Sequence, residues 1–470
     1  MEVSGLMRSF PFFVTALLLI FAILPSSAQD RPKFRAMWIS SYGAGLLTPA
    51  EVDDTIQAAK LANLNAIIVQ VRKTGDAHYN SSFEPRAENL TDPNFDPLAY
   101  IVKRAHESGL EVHAWINTYK LWAGSTPPKS AGHVFNKHPE WINMNIQGMR
   151  DKQGQYGLDP GIPEVQQHLF NVYMDVVKKY DVDGIHFDYC RYWSPDFGYS
   201  KIAVDRFNNE TGRTGIPAMD DPVWCDWRRA RVTDLVRQVY EGAKQIKPWV
   251  RVTGSVVANH PCPADFSDSH PYNMLLQDWE RWLREGIIDA VTPMNYKSES
   301  NPDDAEVFRE WIDGMVRWRH DRHAYNGISV RSIDDYAIQV AETRNRGADG
   351  VAGFDFGPRG SRMAFAMNLR QNVYTRWVPT PPMPWKPDNP HPIVRKPNAA
   401  EDKVLSDRVI LAFMSGLQTS QRGGQGGGDP AAYLFRRLMR TRTGGGMGGP
   451  GGGGGMGGRP AGGGAPRPVQ

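Results

Sequence analysis

The amino-acid sequence predicts a (β/α)₈ barrel, the TIM-barrel fold, and three observations lead there. Eight short strand-like segments alternate with helical patterns between Phe34 and Tyr374. The strand-like segments are apolar almost throughout, as parallel strands buried on both faces are. No Gly-rich dinucleotide or phosphate loop follows the first of them, which argues against an open doubly wound sheet.

In order, the predicted strands are FRAMWIS (34–40), AIIVQV (66–71), EVHAWIN (111–117), DGIHFD (183–188), RVTGSVV (251–257), DAVTPMN (289–295), AYNGIS (324–329) and GVAGFDF (350–356). Helices are predicted over Pro49–Leu61, Pro97–Ser108, Pro163–Tyr180, Trp227–Lys247, Leu275–Glu285, Asp304–Arg319, Ile333–Arg346 and Ser361–Tyr374. The first follows Thr48, a good N-cap, with Pro at its first position; the second stops at Gly109, a natural C′ glycine. Two connections are long. Residues 119–162 carry Trp122 and Trp141, and 191–226 carry Trp193 and Trp224. Long loops at one end of a rigid barrel usually serve function, and these are expected to wall a groove for a polymer.

The ends read differently. Arg8, the apolar run Phe12–Leu24 and then Ser26-Ser27-Ala28 predict a signal peptide over residues 1–28, and export to the periplasm or beyond the cell. The alternative is an uncleaved membrane anchor; no transmembrane segment is expected after the signal is removed. The barrel is expected over 32–378, a Pro-rich strap or linker over 379–400, a further helix over 401–421, and a Gly/Arg-rich tail over 422–470 too poor in apolar residues to fold.

The formal net charge is +3, but residues 419–470 carry seven Arg and one Asp, so the rest stands at about −3. A folded part with that balance is not a nucleic-acid-binding core. The tail is expected to touch anionic cell-envelope polymers. Cys190, Cys225 and Cys262 cannot all pair, and their spacing fits no zinc motif. No metal or cofactor is expected.

Candidate site residues stand at the C-terminal ends of strands, where the active sites of this fold lie. The run DGIHFDYCRY (183–192) is the richest. In it Ile185 and Phe187 alternate with His186 and Asp188, and the chain then enters Tyr189, Arg191, Tyr192 and Trp193. Aromatic rings stack on pyranose faces, and a carboxylate stabilises positive charge at the anomeric carbon. Other strand ends offer Trp38 and Tyr42; Arg72, Lys73, Asp76 and Glu84; His113, Trp115 and Asn117, with Asp159 in the following loop; Asn259 and His260; Asn295 and Tyr296; and Asp355. Asp183 and Asp289 sit at strand starts and are assigned to stability. The bland alternative for Asp188 is a structural ion pair with Arg191 or Arg72. For His113 it is a satisfied core residue, and for Trp38 and Trp115 it is core packing.

The segments FRAMWISSYG, IIVQVRKTGDAHYNSSFEP, VHAWINTYK, HPEW, GLDPGIPEVQ, DGIHFDYCRYW and VTPMNYK resemble those of the bacterial glycosyl-hydrolase-like family 10, over roughly residues 32–375. The resemblance implies a barrel distantly similar to the α-amylase-type hydrolases. It also implies exported proteins, some of which cleave peptidoglycan glycan strands lacking stem peptides. Asp188 then matches the fourth-strand nucleophile of the amylase-type barrels, and Arg72 and Asp76 match the family's polar exit from the second strand. The amylase-type acid, a Glu ending the fifth strand, is missing from SVVAN. A donor must come from Asp76, Glu84, Asp159, Glu299 or Asp355, with Asp355 and Asp76 preferred.

The resulting expectation is an exported glycoside hydrolase acting on a polysaccharide, cell-wall glycan strands above all. Its chemistry falls to Asp188, Asp355 and Asp76. Substrate contacts are expected from Arg72, His113, Asn117, Trp38, Trp115, Trp122, Asp159, Arg191, Trp193, Asn295 and Tyr296. Arg72 is expected to hold Asp188 ionised or to bind a substrate carboxylate, such as a muramic acid lactyl group. The main rival is a non-catalytic glycan-binding protein. A third reading is a metal-dependent hydrolase using His113, Asp188 and Asp355, against which the first strand lacks a His-x-His pair.

Overall fold

The computed structural model describes residues 31, 33–356 and 362–395. The expected signal segment, the 401–421 helix and the Gly/Arg tail lie outside the described residues. Eight parallel strands pair in chain order and close on themselves. They are β1 (Phe34–Ile39), β2 (Ala66–Arg72), β3 (Glu111–Asn117), β4 (Gly184–Asp188), β5 (Arg251–Val257), β6 (Ala290–Met294), β7 (His323–Ser329) and β8 (Gly350–Phe354). Each is followed by a helix on the outside: α1 (Pro49–Leu61), α2 (Pro97–Glu107), α3 (Pro163–Lys179), α4 (Pro222–Ile246), α5 (Trp279–Arg284), α6 (Pro302–Trp318), α7 (Ile333–Asn345) and α8 (Arg362–Asn372). This is the predicted (β/α)₈ barrel. Among the described residues no helix is long and apolar enough to cross a membrane.

Local chemistry sets the boundaries. Thr48 caps α1 through Glu51 N at 3.2 Å. α4 starts at Pro222 rather than Trp227, because Asp221 accepts from Val223 N and Trp224 N and Pro fits the first turn. The single helix expected over Leu275–Glu285 is broken. Leu276 takes a left-handed φ of 52°, and Asp278 then caps α5 through Arg281 N. The long loops hold order the sequence reading did not supply. Lys120–Ala123, Asp151–Lys152 and Gln155–Gly157 form a small antiparallel sheet, and Lys201–Thr211 is a helix capped by Ser200.

Inside the barrel, residues alternate inward and stack in layers. Phe34 and Tyr325 stack low, with ring centroids 4.2 Å apart. His186 plugs the middle, held by Thr253 and Ser255 hydroxyls at 2.8 Å each and by Trp38 Nε1 at 3.3 Å. Trp38, Trp115 and Phe354 meet edge to face above it.

The lower rim repeats one device four times. The residue just ahead of each even-numbered strand accepts, through its side chain, the N–H of the second residue of the preceding odd strand. Asn65 takes Arg35 N at 2.8 Å, Asp183 takes Val112 N at 2.8 Å, Asp289 takes Val252 N at 2.7 Å, and Asp349 takes Ala324 N at 3.0 Å. In return each donates its own N–H to the carbonyl of that same residue. Asp183 and Asp289 are therefore stability residues, as expected from their place at strand starts.

The described part of the Pro-rich segment runs beneath this rim. Lys33 N donates to Pro379 O, Thr380 Oγ1 to Glu111, and Trp385 Nε1 to Asp289 at 2.8 Å. Lys386 Nζ lies 3.1 Å from the same aspartate. Trp385→Ala is expected to cost about 2 kcal/mol by lost burial and one lost hydrogen bond. Denaturant unfolding would measure it, and an unchanged midpoint would mean that the strap is merely draped over the barrel.

Candidate active site

At the upper rim the pairing of β3 and β4 continues past their ends. Thr118 N donates to Asp188 O and Tyr119 N to Tyr189 O. This extension carries Lys120 alongside the β4 exit. Asp188 closes β4 facing inward, opposite Asn117, and is 5% exposed. Tyr189 then turns with a left-handed φ of 49°, unusual for a bulky residue. The turn aims its N–H back at Asp188 Oδ1, at 2.6 Å.

Burial pushes the Asp188 carboxyl up from the ordinary aspartate range. Arg191, the Tyr189 N–H, Lys120 and Trp115 oppose that rise by favouring its anion. Arg191 Nη1 lies 3.6 Å away, and its guanidinium covers the Tyr189 ring at 4.7 Å. The Lys120 ammonium is over the same ring at 4.7 Å. Burial lowers its pKa, against the pull of Asp188.

Two further carboxyls share this mouth. Asp355 follows β8, is half-buried, and acts together with Asp188 on the Tyr296 hydroxyl, whose pKa burial raises first. Tyr296 stacks on Phe354 with centroids 5.6 Å apart. Among the described residues Asp355 has no hydrogen-bond or ion-pair partner. Asp76 and Asp188 both act on the Tyr42 hydroxyl. Asp76, however, already accepts from Thr74 N at 2.8 Å and sits 3.6 Å from Lys73 Nζ. Tyr42 is 59% exposed and forms a free-standing ring beside the ammonium groups of Lys73 and Lys120.

Of the expected contacts, Trp115, Asn117, Arg191 and Tyr296 gather with Asp188 and Asp355. Trp115 Nε1 donates to Asn117 Oδ1 at 2.9 Å, and Asn117 Nδ2 to Lys73 O. Trp38 is 1% exposed and belongs to the packed layer beneath.

Other expectations are corrected. Arg72 is fully buried and does not touch Asp188. It forms a forked pair with Glu84 and donates to the carbonyls of Asn117, Thr118 and Lys120. Burial would raise the Glu84 carboxyl, but the charge of Arg72 and the hydrogen bond from His168 hold it well below the usual range. His113 is also fully buried, low in the barrel, with Glu111 Oε2 at 3.3 Å and its ring against Phe34. It pairs in register with Gly184, four residues below Asp188, or about 13 Å along a strand. His113, Asp188 and Asp355 therefore cannot share one ion. Asn295 donates to Phe308 O on α6 and faces away from the mouth.

Asp159 is fully buried within its loop, bonded to Gly161 N at 2.9 Å. Trp122 bonds Thr126 O, and Trp193 lies against Gly157, where a Cβ would meet its Nε1 at 2.6 Å. Both support the loop sheet. Glu299 pairs with Arg309 at 3.1 Å. Cys190 is a small buried residue whose thiol burial pushes up. Sequence reasoning passed over Lys120, although it ends the quoted run VHAWINTYK. Its partners come from other segments.

Comparison with known proteins agrees with the fold. The family described as glycosyl hydrolase-like 10 matches residues 33–342. Glycosyl hydrolase YngK of Bacillus subtilis (strain 168) is 29% identical over 429 residues, which is 82% of this chain and 79% of that protein. Glycosyl hydrolase DigH of Escherichia coli (strain K12) is 29% identical over 308 residues, 60% of this chain and 66% of that one. The catalytic domain of beta-amylase from Paenibacillus polymyxa shares the fold, with a TM-score of 0.54 at 13% identity over 74% of this chain and 100% of that one. The chain, matched across two thirds of its length by one family and folded as a closed eight-stranded barrel with a buried carboxylate at its mouth, belongs to the glycosyl hydrolase-like family 10 and is a glycoside hydrolase.

Proposed function

We propose that the protein is exported and cleaves glycosidic bonds within a polysaccharide, the glycan strands of the bacterial cell wall, using Asp188 and Asp355. The observation that carries this is the setting of Asp188. Its carboxylate is buried at a strand end, its charge is disfavoured by burial, and cationic and N–H groups are aimed at it. Positive charge developing at an anomeric carbon beside it relieves the burial cost, so the interaction is stronger in the transition state than with the bound sugar. Asp188 serves as nucleophile or charge stabiliser. Asp355 is the proton donor, since Asp76 is already engaged by Thr74 and Lys73. Tyr42, Tyr189, Tyr296 and Phe354 supply rings for sugar faces. The basic tail holds the protein on anionic envelope polymers.

Release of reducing ends from purified glycan strands tests the substrate. The acid role has its own signature. Asp355→Asn should lower turnover of strands by roughly 10²–10⁴-fold, a general acid's share. An aryl glycoside with an acidic phenol leaving group needs little protonation and should lose far less. Equal losses on both substrates would remove Asp355 from the acid role. Binding of strands with no new reducing ends would mean that this glycan is not the substrate.

A further inference from the structure

Three loops meet on the β4–β5 side of the mouth; two bring a cation and the third brings a pair of imidazoles. Lys152 comes from the small loop sheet, with Nζ on Trp193 O at 3.0 Å. Arg191 comes from the β4 exit. His260 and His270 follow β5, with ring centroids 4.5 Å apart. His260 is held at a left-handed φ of 63°. Strain of that kind in a non-glycine residue clusters where ligands are held.

Two nitrogens in this corner are buried and lack a hydrogen-bond partner among the described residues: Arg191 Nη1, a donor, and His270 Nδ1, which donates in the tautomer that carries its proton there. Buried polar atoms are ordinarily satisfied, so two orphans in one corner call for an acceptor from outside. The charges bearing on His270 all have one sign. After burial, His260, Arg191 and Lys152 lower its pKa, to about 4. The carboxylate that does touch the cluster is Asp188, at 3.6 Å from Arg191, beyond hydrogen-bond length.

The geometry points to a subsite in which Arg191, His270 and Lys152 bind the carboxylate of an acidic sugar next to the sugar whose bond is cleaved. Two orphan donors match the two oxygens of a carboxylate, and Lys152 adds charge without fixed direction. Arg191 touches both this corner and Asp188, so the anion is recognised within one sugar unit of the reacting bond. The role expected of Arg72, which is sealed inside the protein, thus falls to Arg191. This inference rests on the reading of Asp188 as the reacting carboxylate.

The test compares one glycan in two forms: strands bearing sugar carboxylates, and the same strands with the carboxylates reduced to alcohols. The wild-type kcat/KM should favour the acidic form by about tenfold or more, mainly through KM. Lys152→Ala and His270→Phe should each erode that preference. Two variants are used so that a misfolded one does not decide the outcome. Equal cleavage of both forms by the wild type overturns the subsite and leaves the glycosidase reading intact.

If neither form is cleaved, that glycan is not the substrate, and the reading of Asp188 is tested by Asp188→Asn on another. The subsite is then judged by calorimetry with a carboxylated oligosaccharide. Binding weakened by Lys152→Ala supports it, and binding indifferent to that change overturns it. Tighter binding of a sulfated than of a carboxylated oligosaccharide would also overturn it as a carboxylate site.

Discussion

Asp188→Asn is expected to lower glycan turnover by about 10³-fold or more, while the barrel stays folded and melts no lower than the parent at neutral pH. The loss follows from replacing the charge that faces the anomeric carbon. The unchanged or improved melting follows from the direction of the pKa shift. Burial raises the Asp188 carboxyl, so the folded state disfavours its ionised form. Below the carboxyl's unfolded pKa both states are protonated and the fold bears no cost. As pH rises through the folded pKa the cost appears in full. Asn cannot ionise, so it escapes this cost, and its amide oxygen can still accept from Tyr189 N. The variant's advantage should therefore grow from acid to neutral pH. Turnover assays and thermal melts across that range check both halves. Near-parental turnover would take Asp188 out of the chemistry, and a variant melting well below the parent would make it a structural ion-pair residue.

Arg72→Ala is expected to destabilise the protein by about 3–5 kcal/mol, because it strands the Glu84 carboxylate in a fully buried site. It also removes the donor to the carbonyls of Asn117, Thr118 and Lys120, the chain that carries the upper end of β3. Glu84→Gln should cost less, since the amide keeps a hydrogen bond to the guanidinium. Replacing both partners by apolar residues of similar volume, Arg72→Met with Glu84→Leu, should recover much of the loss, because neither desolvated charge is left alone. Denaturant midpoints of the two single variants and the double variant test this. An Arg72→Ala protein of parental stability that had lost turnover would restore the role expected from sequence, holding Asp188 ionised or binding a substrate carboxylate.

The case of Arg72 shows what sequence makes legible and what it hides. The eight strands were legible because each is a bounded apolar run, and every predicted boundary falls within two residues of the observed one. Asp188, Tyr189 and Arg191 were legible because they are neighbours in the chain, so a short run displays the site. Arg72 was taken for a mouth residue because it ends a strand, and the face it turns to was hidden. Counting by twos from Gln70 turns it into the barrel. The β2–β3 register instead shifts between the two, pairing Gln70 with inward Trp115 but Arg72 with outward Ile116. A bulge reverses the face of everything beyond it. His113 had the right parity and the wrong height, since inward residues fill several layers and only the uppermost meets substrate. Lys120, Lys152 and His270 escaped for a third reason. They belong to the site only through contacts between distant loops, and a single sequence carries no record of those.

The four clamps of the lower rim make the molecule a ring of four like parts below and a single asymmetric workplace above. Each part is two strands tied by a reciprocal pair of bonds, one from a side chain and one from the backbone. A slip of one residue within a part would exchange its interior and exterior side chains, and the clamp opposes that slip locally. The parts therefore hold their alignment without help from the loops overhead. Those loops are free to lengthen, shorten or trade residues while the frame keeps its alignment. Such a division of labour lets one architecture take up new substrates by rewriting its upper edge while the base serves as a common chassis.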